Sequence, residues 1–129
     1  MSDEELISKA REIQAKAYAP YSKYHVGAAL LGIDGKVYTG VNVENGSYGL
    51  TVCAERNAVF QAVAAGCREF TKIVVFTNSS PPASPCGACR QVLSEFAPNL
   101  EVICANDKNE QQRYNLKELL PYGFDFDKE

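Results

Sequence analysis

The chain has 129 residues, of which 46% are hydrophobic and 22% are charged, and its formal net charge is −3 at neutral pH. This length fits one domain with a substantial core, so we expect a single domain over residues 1–129. The acidic balance and the lack of a Lys/Arg stripe argue against a nucleic-acid partner, which would need a positively charged surface.

The five cysteines are an odd number, which does not suit a framework of disulfides. Residues 1–5 are acidic and contain no apolar signal core, and no apolar run reaches the length that spans a membrane. We therefore expect a protein of the reducing cytoplasm with no membrane partner. Cys67 and Cys104 are expected to be structural free thiols.

The N-terminal residues predict an amphipathic helix. Ser2 and Glu5 have the spacing of a capping box, and apolar residues recur after them at helical intervals. The helix is expected to end near Tyr18, because Pro20 cannot continue it.

A β-hairpin is predicted next. Residues 26–33 and 36–43 are rich in apolar and β-branched side chains, and Asp34-Gly35 between them is a strong signal for a hairpin turn. Residues 44–50 are polar and turn-rich, so they predict a loop that leads to the second helix.

The second half of the chain alternates helices and strands. Thr51 is a suitable N-cap for a second helix that ends at Gly66, and Ser84, followed by Pro85, is a suitable N-cap for a third helix that ends before Pro98. The remaining elements are a buried strand at 72–77 that should be parallel to a neighbour, strands at 100–104 and 111–114, and a short helix at 116–120. This order predicts an α/β fold with a single mixed sheet of about five strands flanked by helices.

Three cysteines lie where the second and third helices are expected to begin. Cys86 and Cys89 are three residues apart, which places them on one helix face, and Cys53 can approach from the second helix. Three thiolates suit Zn²⁺, and a catalytic zinc site takes three protein ligands and leaves the fourth position to water. No fourth ligand is offered nearby, so we predict one zinc ion per chain as the cofactor.

Glu55 follows Cys53 by two residues, so its carboxylate should lie beside the metal rather than on it. Such a carboxylate can carry protons from water to a leaving group, which suits hydrolytic deamination of an aminopyrimidine or a purine. The segments Cys53-Ala54-Glu55 and Pro85-Cys86-Gly87-Ala88-Cys89 match the two-part signature of zinc deaminases. Arg56 is close enough in the chain to donate to a ligand thiolate and to offset the negative charge of three thiolates.

Other interpretations of these residues stay open. A Cys-x-x-Cys pair can be a redox pair or half of a structural zinc site, which would hold metal without turnover but would leave Glu55 without a role. Outside the motif, Asn42 and Glu44 can be turn residues after a strand, His25 can be a strand residue without metal, and Phe124 and Phe126 can be apolar anchors of the tail.

Taken together, the sequence from about Tyr18 to Phe124 resembles the small zinc-dependent cytidine deaminases of pyrimidine salvage. The matching segments are Ala19-Pro20-Tyr21-Ser22-Lys23, Val26-Gly27-Ala28-Ala29-Leu30, Asn42-Val43-Glu44-Asn45, Ser47-Tyr48-Gly49, Cys53-Ala54-Glu55-Arg56, Pro85-Cys86-Gly87-Ala88-Cys89-Arg90-Gln91 and Leu119-Leu120-Pro121. The resemblance implies that family's three-layer sandwich fold. It also implies hydrolytic deamination of cytidine and 2′-deoxycytidine to uridine and 2′-deoxyuridine, with release of ammonia.

The resemblance assigns roles to individual residues. It implies Cys53, Cys86 and Cys89 as zinc ligands, Glu55 as the proton carrier, and Asn42 with Glu44 as contacts to the ribose. It further implies a homotetramer in which neighbouring chains contribute Tyr48 and Phe124 to the pocket.

The sequence departs from the family at two positions near the expected nucleoside, with Tyr24 where Phe is common and Gly46 where Ala is common. These departures leave the preferred substrate open. The main alternative is a deaminase of a nucleoside antibiotic, as in the blasticidin S deaminases, which share the zinc motif. A free nucleoside is expected rather than a nucleotide, because Glu44 is negatively charged and the two best helix N-termini face the zinc rather than a phosphate.

Overall fold

The computed structural model of the chain describes residues 1–126, so residues 127–129 of the expected domain lie outside the described part. Four α-helices are present: α1 (Asp3–Gln14), α2 (Ala54–Ala64), α3 (Gly87–Phe96) and α4 (Leu116–Leu119). The strands are β1 (Gly27–Gly32), β2 (Val37–Val41), β3 (Phe70–Thr77), β4 (Glu101–Asn106) and β5 (Gln111–Asn115).

The five strands form one sheet in the order β2-β1-β3-β4-β5. Strands β3 and β4 are parallel, and the other neighbouring pairs are antiparallel. The predicted mixed sheet is thus confirmed. The buried strand begins at Phe70 rather than at position 72, because a register shift after Leu31 lets β1 continue its pairing with β3 as far as Phe70.

Helices cover both faces of the sheet, which confirms the three-layer sandwich. Successive strand residues point to opposite faces. On one face Ala29, Val74 and Ile103 pack with Leu6 and Ala10 of α1. The opposite face packs against α2, α3 and α4 through Ala28, Leu30, Ile73, Val102, Cys104, Ala58, Leu93 and Leu116.

Helix α2 lies against the backbone of β2, and this contact positions the start of the helix. A Cβ atom at Gly40 would lie 2.3 Å from the carbonyl oxygen of Ala54 and 2.4 Å from the amide nitrogen of Ala58. Asn57 Nδ2 also donates to the carbonyl of Val41 at 2.8 Å. Any side chain at position 40 would therefore move the helix N-terminus that follows Cys53.

Helix α1 has the predicted capping box of Ser2 and Glu5 but ends earlier than predicted. Its last residue is Gln14 rather than a residue near Tyr18. The amide of Tyr18 instead donates to the carbonyl of Asn42 at 3.0 Å, and Tyr18 forms a bridge with Val43. Pairing with the end of the hairpin therefore replaces the last helical turn.

The predicted hairpin and the end of the second helix are both confirmed. Gly35 turns between β1 and β2 with φ 81°, and Gly66 follows α2 with φ 93°, a left-handed conformation that favours glycine. In residues 1–126 no helix has the length and apolarity required to cross a lipid bilayer.

Candidate active site

Helix α2 begins at a different residue from the one predicted. Cys53, not Thr51, is the N-cap, and its side chain makes no capping hydrogen bond. Val52 pairs with Val43 through two backbone hydrogen bonds of 3.0 Å, which keeps residues 51–53 extended. The hydroxyl of Thr51 instead accepts from the amide of Asn45 at 3.2 Å. The Cys53 thiol is consequently left available to a ligand.

Helix α3 differs from the prediction in the same way. Its N-cap is Cys86, so Pro85 lies outside the helix and Ser84 is not the cap. The hydroxyl of Ser84 accepts a hydrogen bond from Arg90 Nη2 at 2.9 Å. Cys86 and Cys89 thus occupy the cap and the first turn of the same helix.

The three cysteine sulfurs lie within 4.8 Å of one another. Cys86 Sγ is 3.6 Å from Cys53 Sγ and 3.5 Å from Cys89 Sγ. Thiolates bound tetrahedrally at about 2.3 Å from zinc lie about 3.8 Å apart, so these spacings fit one shared zinc ion. Within residues 1–126 this group contains three ligands, which is the number that a catalytic site takes.

Arg56 provides positive charge beside the sulfurs. Its Nη2 atom donates to Cys53 Sγ at 3.5 Å, and this bond is the main reason that the pKa of Arg56 is raised. The Arg56 Nε atom is buried and has no hydrogen-bond partner among the described residues. A hydrogen bond from Cys89, together with Arg56 and Cys86, lowers the pKa of Cys53 to about 5, which favours the thiolate that a metal needs.

Glu55, the second residue of α2, is only 4% exposed. Burial raises the pKa of its carboxyl to about 7, and the negative charge of Cys53 acts in the same direction. A carboxyl group with a pKa near neutrality can both accept and donate protons at physiological pH, as a general acid and base must. The structure therefore places a buried carboxyl group with a pKa near neutrality next to the sulfur cluster.

Asn42 and Glu44 both make hydrogen bonds to the segment between α1 and β1. The Asn42 amide donates to the carbonyl of Tyr24 at 2.7 Å and accepts from the amide of Val26 at 2.9 Å. Glu44 Oε1 accepts from the amides of Tyr21 and Ser22 at 3.0 and 3.1 Å. These contacts connect both side chains to the backbone on either side of Tyr24.

The Tyr24 side chain reaches toward the segment that leads to Cys86. Its hydroxyl lies 3.2 Å from Ser79 Oγ, and the ring is 41% exposed. Gly46 lies under Tyr21, since a Cβ atom there would be 3.2 Å from the Tyr21 hydroxyl. An alanine at position 46 would therefore require a small shift of Tyr21.

Tyr48 and Phe124 are not covered by their own chain. Tyr48 is 76% exposed and contacts Tyr21 edge to face, with ring centroids 6.2 Å apart. Phe124 is 60% exposed and Phe126 is 82% exposed, so neither anchors the tail through its ring. The Tyr48 and Phe124 rings are thus available to a molecule outside this chain.

Comparison with known proteins agrees with this geometry. Residues 1–105 match the family described as the cytidine and deoxycytidylate deaminase zinc-binding region. The chain belongs to this deaminase family. It is 45% identical to a cytidine deaminase of Sporosarcina psychrophila over 125 residues, which cover 96% of this chain and 92% of the relative.

Solved structures of family members have the same fold. The crystal structure of cytidine deaminase from Burkholderia pseudomallei superposes with a TM-score of 0.93 at 49% identity, covering 96% of this chain and 100% of the other. The cytidine deaminase from Mycobacterium tuberculosis gives a TM-score of 0.83 at 37% identity, covering 98% and 100% of the two chains.

The remaining candidate residues of this deaminase lie outside the sulfur cluster. His25 Nδ1 lies 3.1 Å from the carbonyl of Lys23, and His25 is not part of the metal-ligand group. Cys67 is buried, and its thiol donates to the carbonyl of Glu69 at 3.4 Å. Cys104 is buried in β4, and burial raises its pKa to about 12, which keeps it a thiol. These environments agree with structural roles for the two cysteines.

Three residues that contact Glu44 or the C-terminal segment were given no role from the sequence. Ser22 donates its amide and its hydroxyl to the Glu44 carboxylate. Arg90 and Gln91 bind the C-terminal segment through their side chains. Arg90 and Gln91 lie in the matched segment around Cys89, and their place in that segment was the one sequence signal that could have pointed to them.

Arg56→Ala is expected to lower zinc retention or turnover by about 10–100-fold, as changes in the groups around metal ligands commonly do. The variant leaves three thiolates around one Zn²⁺ ion without the guanidinium that offsets their negative charge. Zinc content and turnover should be measured on the same preparation. Arg68→Ala, a change at an exposed position beyond α2, is the control. Parent-like zinc content and turnover of Arg56→Ala would show that this charge argument is wrong.

Proposed function

We propose that the chain catalyses hydrolytic deamination of cytidine and 2′-deoxycytidine to uridine and 2′-deoxyuridine, with release of ammonia. The observation that carries this proposal is the juxtaposition of three cysteine sulfurs with the buried carboxyl group of Glu55. A structural zinc site or a redox pair has no use for that carboxyl group. The names of the relatives from Sporosarcina psychrophila and Burkholderia pseudomallei support the same reaction.

In this proposal Cys53, Cys86 and Cys89 hold one zinc ion, and Arg56 offsets their charge. When bound, zinc supplies the positive charge that lets a water molecule lose a proton at neutral pH and so attack C4 of cytosine. The N-termini of α2 and α3 point their backbone N–H groups toward the same region, which stabilises negative charge on the sulfurs.

Glu55 performs the proton transfers. Its carboxylate takes a proton from the attacking water and gives one to N3 of the pyrimidine ring as the new C–O bond forms at C4. It then takes the proton of the new C4 hydroxyl and delivers it to the departing amine as the C4–N bond breaks and the C4=O bond forms, so that ammonia leaves. One group can make all of these transfers because its pKa of about 7 allows either protonation state.

Asn42 and Glu44 bind the sugar, with Tyr24 and Gly46 beside the nucleoside. The proposal favours a nucleoside over free cytosine, since the bare base offers no hydroxyl to the Glu44 carboxylate. A nucleotide is disfavoured because Glu44 would repel its phosphate.

A direct test is release of ammonia from cytidine, 2′-deoxycytidine, CMP, cytosine and blasticidin S by protein of measured zinc content. We expect turnover of the two nucleosides within about an order of magnitude of each other, and much slower turnover of CMP and cytosine. Faster turnover of blasticidin S than of cytidine would assign the chain to antibiotic deamination. Absence of any turnover by zinc-loaded protein would show that the chain is a structural zinc module.

We infer further that the protein acts in the cytoplasm as a homotetramer, with Tyr48 and Phe124 of neighbouring chains completing each pocket. The cytoplasmic assignment rests on the cysteine cluster, which must stay reduced to bind zinc. The assembly is supported by the exposure of the Tyr48 and Phe124 rings, which gain free energy when another chain removes them from water.

Phe124→Ala is expected to raise KM or to lower kcat by about 10–100-fold without loss of zinc, because burial of a phenylalanine ring has an effect of this size. Light scattering of the parent should give a tetramer, and steady-state kinetics and zinc content should be compared for both proteins. Phe126→Ala, which removes a second exposed ring of the same tail, is the control. A fully active monomer would contradict both the assembly and this role of Phe124.

A further inference from the structure

Arg90 and Gln91, which directly follow Cys89, connect the first turns of α3 to the C-terminal segment. That segment comprises residues 119–124 and is called the tail segment below. Arg90 Nε donates to the carbonyl of Pro85 at 2.7 Å, directly before Cys86. Its Nη1 donates to the carbonyl of Leu119 at 2.8 Å, where the tail segment begins. One guanidinium group therefore binds both the approach to a cysteine of the metal site and the tail segment.

Gln91 binds the other end of the tail segment. Its Nε2 donates to the carbonyl of Phe124 at 3.0 Å, and its Oε1 accepts from the amide of the same residue at 3.2 Å. This two-way pairing fixes both the position and the direction of the backbone at Phe124. A single hydrogen bond would leave that backbone free to rotate about the contact.

The residues between these two attachments also have a defined conformation. Tyr122 has φ 59°, in the left-handed region, and a Cβ atom at Gly123 would lie 2.7 Å from Leu120 Cδ2. The tail segment is thus held at Leu119 and at Phe124, and between them Gly123 packs closely against Leu120. The Phe124 ring nevertheless remains 60% exposed.

We propose that Arg90 and Gln91 are positioning residues that present the Phe124 ring to the pocket of a neighbouring chain and hold it in a constant relation to the metal cysteines. This inference rests on the proposed role of Phe124 in the pocket. Its independent support is the pair of hydrogen bonds between the Gln91 side chain and the backbone of Phe124, whose own ring is left in solvent. Such bonds orient a side chain for an external contact, because within the chain the ring gains little from being held.

The arrangement has a consequence for assembly and catalysis. The turn of α3 that carries Cys89 also carries both attachments of the tail segment. A flexible tail would lose conformational entropy each time that it becomes ordered around a substrate, and this loss would weaken binding. With the segment already ordered, the ring can reach the neighbouring pocket without that cost.

Gln91→Leu tests the attachment at Phe124, because it removes both hydrogen bonds and keeps a side chain of similar size. We expect amide hydrogen exchange of the tail segment to accelerate by about tenfold and KM to rise by about tenfold, with kcat within about twofold of the parent and unchanged zinc content. Gln112→Leu on β5, which loses a hydrogen bond from Tyr114 instead, is the matched control.

The decisive comparison is made in the Phe124→Ala background. If Gln91 acts by positioning the ring, Gln91→Leu should add nothing to the KM of Phe124→Ala. If the KM of the double variant instead equals the product of the two single effects, Gln91 does not act through the Phe124 ring. Amide exchange and KM like those of the parent in Gln91→Leu alone would also overturn the role of Gln91. Amide exchange requires no substrate, so it tests this attachment even if the nucleoside assignment fails.

Arg90→Lys tests the attachment nearer the metal. The lysine keeps the charge, but a single ammonium cannot reach the acceptors of Pro85, Ser84 and Leu119 together. We expect about tenfold faster loss of zinc to a chelator and faster exchange of the tail segment, whereas Gln91→Leu should lose zinc at the parent rate. Arg113→Lys, which changes an arginine bound to Asp3, is the control. Parent-like zinc loss and exchange in Arg90→Lys would overturn the role of Arg90.

Discussion

Glu55→Gln is expected to lower kcat by at least about 10²–10⁴-fold while zinc content and nucleoside binding stay close to those of the parent. The glutamine side chain has nearly the same shape as glutamate and should fit the same buried site. It cannot take up the proton of the attacking water or deliver one to N3 and to the leaving amine. The chemical step therefore loses its proton carrier, and binding loses little.

The burial of Glu55 makes this substitution a clean test. With 4% exposure, the carboxyl group at position 55 has little bulk water that could replace it as a proton carrier. Burial raises its pKa to about 7, a shift of the kind that favours catalytic acids and bases.

Zinc content, nucleoside binding and single-turnover rates should be measured for the parent and for Glu55→Gln. Glu95→Gln, at an exposed position of α3, controls for the loss of one negative charge. A kcat near that of the parent in Glu55→Gln would remove Glu55 from the mechanism. Loss of zinc in the same variant would instead assign Glu55 a role in holding the metal.

The architecture could be predicted from the sequence because its signals are local. Runs of apolar and β-branched residues identified the strands, Asp34-Gly35 identified the hairpin, and Gly66 identified the end of α2. The starts of α2 and α3 were wrong by two residues each, since both depend on long-range contacts. Val52 pairs with Val43, and Ser84 binds Arg90 instead of capping the helix.

The chemistry of the site was similarly easier to predict than its supporting contacts. Cysteine spacing and the position of Glu55 predict a cluster that tolerates the two-residue error in each helix start, because the cysteines still lie at the N-caps and in a first turn. The bond from Gln91 to Phe124 spans 33 residues and leaves no periodic pattern in the sequence. The hydrogen bonds of Glu44 to Ser22 also join distant parts of the chain and required the folded structure.

Glu44 has an internal role that changes how its part in sugar binding must be tested. Its carboxylate accepts from the amides of Tyr21 and Ser22 and from the Ser22 hydroxyl. The Ser22 hydroxyl is the main cause of the lowered pKa of Glu44. A carboxylate has about four acceptor positions, so among the described residues these three donors leave about one for a sugar hydroxyl. Glu44→Ala would remove the loop contacts together with the sugar contact.

Glu44→Gln separates these two roles and is expected to raise the KM for cytidine by about 10–100-fold with unchanged zinc content. The amide oxygen can still accept from both backbone amides, and the amide nitrogen can donate to the Ser22 hydroxyl. The charged acceptor for the sugar is lost, so nucleoside binding should weaken while the loop keeps its conformation. Glu44→Ala should raise KM further, because it also releases the segment next to Tyr24.

The comparison should include 2′-deoxycytidine and Ser22→Ala. If the main contact is to the 3′-hydroxyl, which both nucleosides possess, Glu44→Gln should affect them within about an order of magnitude of each other. Ser22→Ala, which removes one internal donor and leaves the charge of Glu44 in place, should raise KM less than Glu44→Gln does. A KM indifferent to Glu44→Gln, or efficient deamination of CMP by the parent, would show that Glu44 serves the loop alone and that the sugar is recognised elsewhere.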